Sequence, residues 1–347
     1  MKALVIDAPG EIAWRDQPEP EPGPDEVLVR SAFVGLCGTD LEILRGELEP
    51  GWVTYPCVPG HEWSGVVEAL GEGVDDLARG DHVACEGRIP CNRCARCEQG
   101  ATNLCLHYDQ LGFTRPGGAA ELVCVPRFVV HRLPADVPLD AAVMIEPAAS
   151  LARAMSRAQL APGETIGVIG IGSLGAAGIL LAGLRAPQAL VGYGIRPAEL
   201  ELATRLGASA TIDVGAGDPL AATEALVPGG LDVVVETAGA TAAIELATRL
   251  ARPGGRVILL GLAGAGREVT LPADRFPNKD LTVHGLASYD RSAWSTAVGL
   301  VRDGLIDFSP VLGRRFAIER FDEAYATLGA GGGVGKLLLV HEAAVGA

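Results

Sequence analysis

The sequence predicts an α/β chain of two domains, a β-rich domain interrupted by a doubly wound parallel sheet. Three observations carry this. The stretch 165–175, TIGVIGIGSLG, joins a short apolar strand to a glycine turn and then a helix. Beyond it, strand-like and helix-like segments alternate, the pattern of a parallel sheet with crossover helices. Before it, and again towards the C-terminus, short strand-like runs are set among Gly and Pro clusters. A length of 347 residues suits two domains.

In chain order, residues 1–149 show strand-like runs at 3–7, 26–33, 64–70 and 121–125. Clusters at 18–24, 56–60 and 116–118 punctuate them as turns and loops. From 150, strands are expected at Thr165–Ile169, Ala189–Gly194, Ala210–Asp213, 232–236, 256–261 and 281–285, separated by Ala/Leu/Glu-rich helical stretches. The tail adds a helix at 292–303, the run 308–316, a helix near 321–328 and a closing strand at 336–341. The reading is one domain from 1–149 and 287–347, with 150–286 inserted as a dinucleotide-binding domain.

Gly170, Gly172 and Gly175 fit G-x-G-x-x-G in the context that gives the motif meaning, after a strand and before a helix. Gly170 permits the tight turn, Gly172 lets a pyrophosphate approach the backbone, and Gly175 lets helix pack on strand. Ser173 and Leu174 complete the turn, whose helix N-terminus offers unpaired N–H groups to phosphates. The bland alternative is a glycine-rich structural turn.

Composition narrows the function classes. A net charge of −15 argues against nucleic acid or an anionic membrane surface as partner. No apolar run reaches membrane-spanning length, and MKALVIDAPG does not read as a signal peptide. Eight cysteines without a secretory signal suggest a reducing, cytoplasmic setting and metal ligation rather than disulfides.

Cys91, Cys94, Cys97 and Cys105 are spaced C-x2-C-x2-C-x7-C. Four thiolates in one loop can close a tetrahedron around Zn²⁺, leaving no open position, so this site is expected to be structural. Iron–sulfur ligation is the rival, and the spacing matches neither ferredoxin pattern closely. A nucleic-acid-binding zinc ribbon is disfavoured by the acidic balance. A second set, Cys37, His61, Glu62 and Glu146, is scattered in sequence. A soft ligand, an imidazole and carboxylates suit a catalytic Zn²⁺ that keeps a place for substrate. Each also has an ordinary reading: Cys37 as core, His61 as a turn residue, Glu146 as a helix N-terminal acid beside Pro147. Cys57, Cys85 and Cys124 lack partners at ligand spacing and read as small buried hydrophobes.

Together these residues resemble the zinc-dependent medium-chain alcohol/polyol dehydrogenases. Gly60-His61-Glu62-x2-Gly65-x5-Gly71-x2-Val74 matches that family's zinc signature, the four-cysteine loop has its structural-zinc spacing, and GIGSLG sits at its cofactor turn. The resemblance spans the chain to the closing GKLLLV. It implies a GroES-like β domain interrupted by a Rossmann domain, and two Zn²⁺ per chain. Cys37 and His61 would hold the catalytic zinc with a carboxylate from Glu146 or Glu62. Liver-type alcohol dehydrogenases have a cysteine where this chain has Glu146, which points to the polyol branch. Thr39 would relay the substrate proton, and Asp40 would support His61. Glu42 replaces the family's usual relay histidine. YPCVPGHEWSG and LGFTRPGGAAEL resemble the branch containing 2-deoxy-scyllo-inosamine dehydrogenases. By the same resemblance Glu121 would hold substrate hydroxyls, Lys336 would meet the cofactor, and the chain would form a dimer or tetramer.

The implied reaction is reversible oxidation of a secondary alcohol of a polyol, sugar or aminocyclitol, a small-molecule substrate, with hydride transfer to NAD(P). The rivals are a zinc-free quinone reductase of the same fold, a simple alcohol dehydrogenase, and a non-enzymatic NAD(P)-binding redox sensor. Cofactor choice can be read further. NAD-specific units carry an acid about 20 residues beyond the turn, on the ribose 2′-OH. Gly194 stands there instead, and Arg196 follows, able to pair with a 2′-phosphate. NADP is therefore expected over NAD, with Arg196 as a solvated helix-opening charge the alternative.

Overall fold

The computed structural model describes residues 1–342 and divides the chain into two compact units. One comprises Met1–Ala149 with the chain from Asp290 onward; the other is Ser150–Tyr289.

The Ser150–Tyr289 unit holds a six-stranded parallel sheet. Its spatial order is Ala210–Asp213, Ala189–Gly194, Thr165–Ile169, Leu231–Glu236, Ala251–Leu259, Thr282–Gly285. All five residues of Thr165–Ile169 are buried, as a central parallel strand covered on both faces requires. The strand order reverses between Thr165–Ile169 and Leu231–Glu236, and ligands of such sheets bind beyond the strand ends at that point. Ala251–Leu259 begins earlier than the expected 256, because Ala251 pairs with Leu231 across an irregularity around Pro253 and Gly254.

The other unit is built on a seven-stranded sheet. Its spine is the 11-residue strand Glu26–Leu36, which pairs antiparallel with Glu62–Leu70, Leu122–Pro126 and Lys336–Val340. Val27, Val29, Val34, Trp63, Val67, Leu337 and Leu339 form its core. The β-rich reading omits two helices, Gly38–Arg45 and Ile145–Arg157. Gly38–Arg45 is short, and its start is fixed by Asp40, whose carboxylate accepts the Cys37 backbone N–H at 2.8 Å. Among the described residues, no helix is long and apolar enough to cross a membrane.

Candidate active site

Strand register assembles the first metal set. Gly35 pairs with Glu62 and Leu36 with Leu337. The end of Glu26–Leu36 therefore meets the starts of Glu62–Leu70 and Lys336–Val340. Cys37 leaves the first strand where His61 enters the second, and Cys37 Sγ lies 3.3 Å from His61 Nε2. Ligand atoms of Cys37, His61 and Glu62 all fall within 4.8 Å of one another. His61 Nδ1 faces Asp40 Oδ1 at 3.7 Å, so the ring is shared between a metal-ligand side and a fully buried acid. Phe113, which the sequence could not place, packs its ring edge-on to His61 with centroids 5.3 Å apart.

The charges of this set call for a cation. Burial raises the Asp40 carboxyl despite His61 and the Cys37 N–H. Burial alone would lower His61, yet Cys37 and Asp40 drive it well above its ordinary value. Glu146, near the start of Ile145–Arg157, is pushed up to about 7 by burial and by Glu62, against the pull of His61 and Lys336. Acidic groups thus crowd one pocket of low dielectric. A divalent ion suits this donor set of sulfur, imidazole and carboxylate. Glu146 borders the three-residue set rather than joining it.

The second set is the cysteine loop, where the sulfurs of Cys91, Cys94, Cys97 and Cys105 also lie within 4.8 Å of one another. Cys91 N–H and His107 N–H point at Cys105 Sγ, at 3.3 and 3.4 Å. Backbone N–H groups of Leu106 and Cys97 pull the Cys94 thiol down to about 6, whereas burial and the Cys105 and Cys94 sulfurs push Cys97 up to about 12. Four such thiols can all ionise only around a positive ion, which is the chemistry of a closed zinc site.

The glycine turn is built as its spacing requires. Gly170 has φ +86°. A Cβ on Gly175 would lie 1.8 Å from the Gly170 carbonyl oxygen, so strand and helix approach only because that position is bare. A Cβ on Gly172 would meet nothing within 4 Å, leaving space above the backbone for a pyrophosphate. Ser173 opens the helix Ser173–Gly183, with Leu174 in its first turn. Two residues not foreseen brace the turn: Thr237 Oγ1 donates to the Gly170 carbonyl at 2.7 Å, and buried Glu236 accepts from Ala238 and Gly239 N–H at 2.8 Å each. Their only sequence signal is an acid and a hydroxyl closing an apolar strand.

The alcohol dehydrogenase GroES-like domain family matches residues 23–135, and the zinc-binding dehydrogenase family matches 170–303. L-threonine 3-dehydrogenase of Sinorhizobium fredii is 31% identical over 98% of both chains. Galactitol 1-phosphate 5-dehydrogenase of Escherichia coli K12 is 32% identical over 98% of this chain and 100% of its own. The chain belongs to the zinc-dependent medium-chain alcohol/polyol dehydrogenases. Solved structures agree: a zinc-binding dehydrogenase from Sinorhizobium meliloti 1021 bound to NADP superposes with TM-score 0.90 at 33% identity, covering 98% of both chains. E. coli galactitol-1-phosphate dehydrogenase gives 0.89 at 31%, covering 98% of this chain and 100% of that one. The protein is thus a zinc-dependent NAD(P) alcohol/polyol dehydrogenase with a GroES-like and a Rossmann domain.

Within this dehydrogenase one expectation needs correcting, the burial of Cys124. Glu121 Oε2 accepts the Lys2 N–H at 2.7 Å, which ties down the first strand. Lys336, expected at the cofactor, is 2% exposed, ion-pairs with Glu62 and donates to the Leu36 carbonyl. Cys57 and Cys85 are buried as expected, but Cys124 is half-buried, with its sulfur on the Glu26 carboxylate. Thr39 is half-buried two residues beyond Cys37, and Glu42 has its carboxyl raised by burial and by Glu47. Gly194 ends the strand Ala189–Gly194, and Arg196, at the N-cap of Pro197–Arg205, ion-pairs with Glu199.

Proposed function

We propose that this dehydrogenase reversibly oxidises a secondary alcohol of a polyol, sugar or aminocyclitol to the ketone, with NADP preferred over NAD. The observation that carries the reading is the Cys37–His61–Glu62 set with Glu146 beside it, in which carboxylates accompany a single thiol. Cys37, His61 and a carboxylate from Glu62 or Glu146 hold the catalytic zinc, and Cys91, Cys94, Cys97 and Cys105 hold a second, structural one. When bound, the catalytic ion supplies a Lewis acid for the substrate oxygen, and the nicotinamide takes the hydride. Thr39 takes the substrate hydroxyl proton. Asp40 keeps His61 oriented, and Glu42 offers the proton an acidic group on the same helix where the family has a histidine. Gly170, Gly172, Ser173, Leu174 and Gly175 bind the pyrophosphate, and Gly194 and Arg196 admit a 2′-phosphate.

We infer a homo-oligomer, dimer or tetramer, working in the cytoplasm, the reducing setting that its thiol ligands need. The edge strand Thr282–Gly285 supports the oligomer, since among the described residues it has a partner on one side only and Val283 on it is 37% exposed. A second reading takes a hydroxy amino acid as substrate and rests on the relative named L-threonine 3-dehydrogenase. The deciding experiment assays polyols, sugars, sugar phosphates, aminocyclitols, L-threonine and primary alcohols with each cofactor. The highest kcat/KM is expected on a polyhydroxylated secondary alcohol with NADP. Preference for L-threonine selects the second reading, and preference for primary alcohols overturns both.

A further inference from the structure

We propose that Glu199 tempers cofactor discrimination in this chain, offering from the helix a carboxylate where the strand end has Gly194. This rests on the reading that Gly194 and Arg196 face the ribose 2′ position. A Cβ built on Gly194 would lie 3.8 Å from Glu199 Oε2. Leu200 Cδ2 lies nearer, at 3.0 Å, so leucine and carboxylate together border the place where a strand-end acid would begin its side chain. The other oxygen, Oε1, is bonded by the Arg196 guanidinium. Glu199 is 5% exposed and lies in the first turn of Pro197–Arg205, so a helix N-terminus and an arginine stabilise a charge otherwise costly to bury.

The pair gives the two cofactors different terms. A ribose 2′-OH can donate to Glu199 while Arg196 stays on the same carboxylate. A 2′-phosphate needs the guanidinium for itself. Drawing Arg196 onto the phosphate weakens the hold on a buried carboxylate and brings a doubly charged group towards it. Glu199 thus supports NAD and restrains the NADP preference that Arg196 alone would give. The sequence hid this because the acid lies five positions beyond Gly194, on the next element.

The test is calorimetric titration of the zinc-bound protein with 2′,5′-ADP and with 5′-AMP, which differ only in the 2′-phosphate. Glu199→Gln is expected to tighten 2′,5′-ADP and loosen 5′-AMP, moving their affinity ratio about tenfold, the scale of one charge-assisted contact. Glu199→Asp, which keeps the charge but withdraws it by one methylene, should fall between Glu199→Gln and wild type. An unchanged ratio in Glu199→Gln overturns the proposal, as does an equal shift of both ligands. Arg196→Ala scores the underlying reading separately: it should weaken 2′,5′-ADP far more than 5′-AMP. If it does not, Arg196 does not face the phosphate, while the 5′-AMP loss in Glu199→Gln still reports on Glu199.

Discussion

Lys336 and Glu62 form an ion pair inside the protein, with side chains 1% and 4% exposed, at the junction of three strand ends. Burial would lower the lysine, but Glu62 and Cys37 hold it protonated and raise its pKa. Removing one partner strands the other. Lys336→Met should cost ~3–5 kcal/mol of stability, the range for a broken buried pair, whereas Lys336→Met with Glu62→Gln should cost clearly less than the sum of the two single changes. Urea unfolding of the four proteins checks this. Strict additivity would show that the pair carries no coupling.

Gly35 is the space that the ion pair occupies. A Cβ there would lie 2.6 Å from Val143 Cγ1 and 2.7 Å from Glu62 Oε2. Val143 is in the core and Glu62 is pinned by Lys336, so neither yields cheaply. Gly35→Ala should destabilise by about 1–3 kcal/mol, as overpacking does, and should lower catalytic-zinc occupancy because it displaces Glu62. Metal analysis together with thermal unfolding tests both parts. A stable variant with full zinc would show that the site relaxes.

Gly35 and Lys336 also show where sequence reading stops. The glycine turn and the four-cysteine loop were legible because each is local: the chemistry and the spacing lie in one short stretch. The alternation after 150 was legible for the same reason, since hydrophobic period reports each strand separately. The proposed catalytic set is different. Cys37, His61 and Glu62 were suggested by residue type, but what joins them is the register Gly35↔Glu62. Lys336 enters through the pairing of Leu337 with Leu36, between segments at opposite ends of the chain. Long-range register has no local signature. The bond from the Lys2 N–H to Glu121 joins residues 119 positions apart and likewise has no local signature.

The two proposed zinc sites should respond to opposite treatments. Cys37→Ala removes one ligand of the open set and leaves the cysteine loop intact, so turnover should vanish, one of two zinc ions should be lost, and fold and dinucleotide binding should remain. Circular dichroism, metal analysis and NADP titration read these outcomes. Retained activity sinks the assignment of Cys37.

Acid should act first on the cysteine loop. The Cys94 thiol sits below its ordinary value, at about 6. A depressed folded-state value favours the thiolate, so its contribution is complete above the unfolded value and is lost as pH falls through the folded one. Bound zinc competes with protons for all four sulfurs and shifts that loss lower still. Zinc release to a chromophoric chelator should therefore rise on acidification below pH ~6, with thermal stability falling in parallel. Release that instead grows towards alkaline pH would mean that thiolate supply does not govern the site.

The cofactor turn offers the sharpest separation of binding from metal chemistry. Gly175 packs its bare Cα against the Gly170 carbonyl, and a methyl there would sit 1.8 Å from that oxygen and 2.8 Å from Thr237 Oγ1. The oxygen is backbone and is itself held by Thr237, so the helix Ser173–Gly183 must move away from the strand Thr165–Ile169. The helix N-terminus would then no longer present its N–H groups where a pyrophosphate would lie. Gly175→Ala should weaken NADP and NAD together by at least about tenfold, since the shared pyrophosphate contacts are what it disturbs. Zinc content should be unchanged, because both proposed zinc sites belong to the other unit. Gly172→Ala differs. Its Cβ meets no protein atom, so it should fold at wild-type stability and lose affinity only through crowding of the phosphates. Fluorescence titration of each cofactor, with melting curves recorded without cofactor, distinguishes the two variants. If Gly172→Ala binds both cofactors at wild-type strength, the pyrophosphate does not lie over that residue.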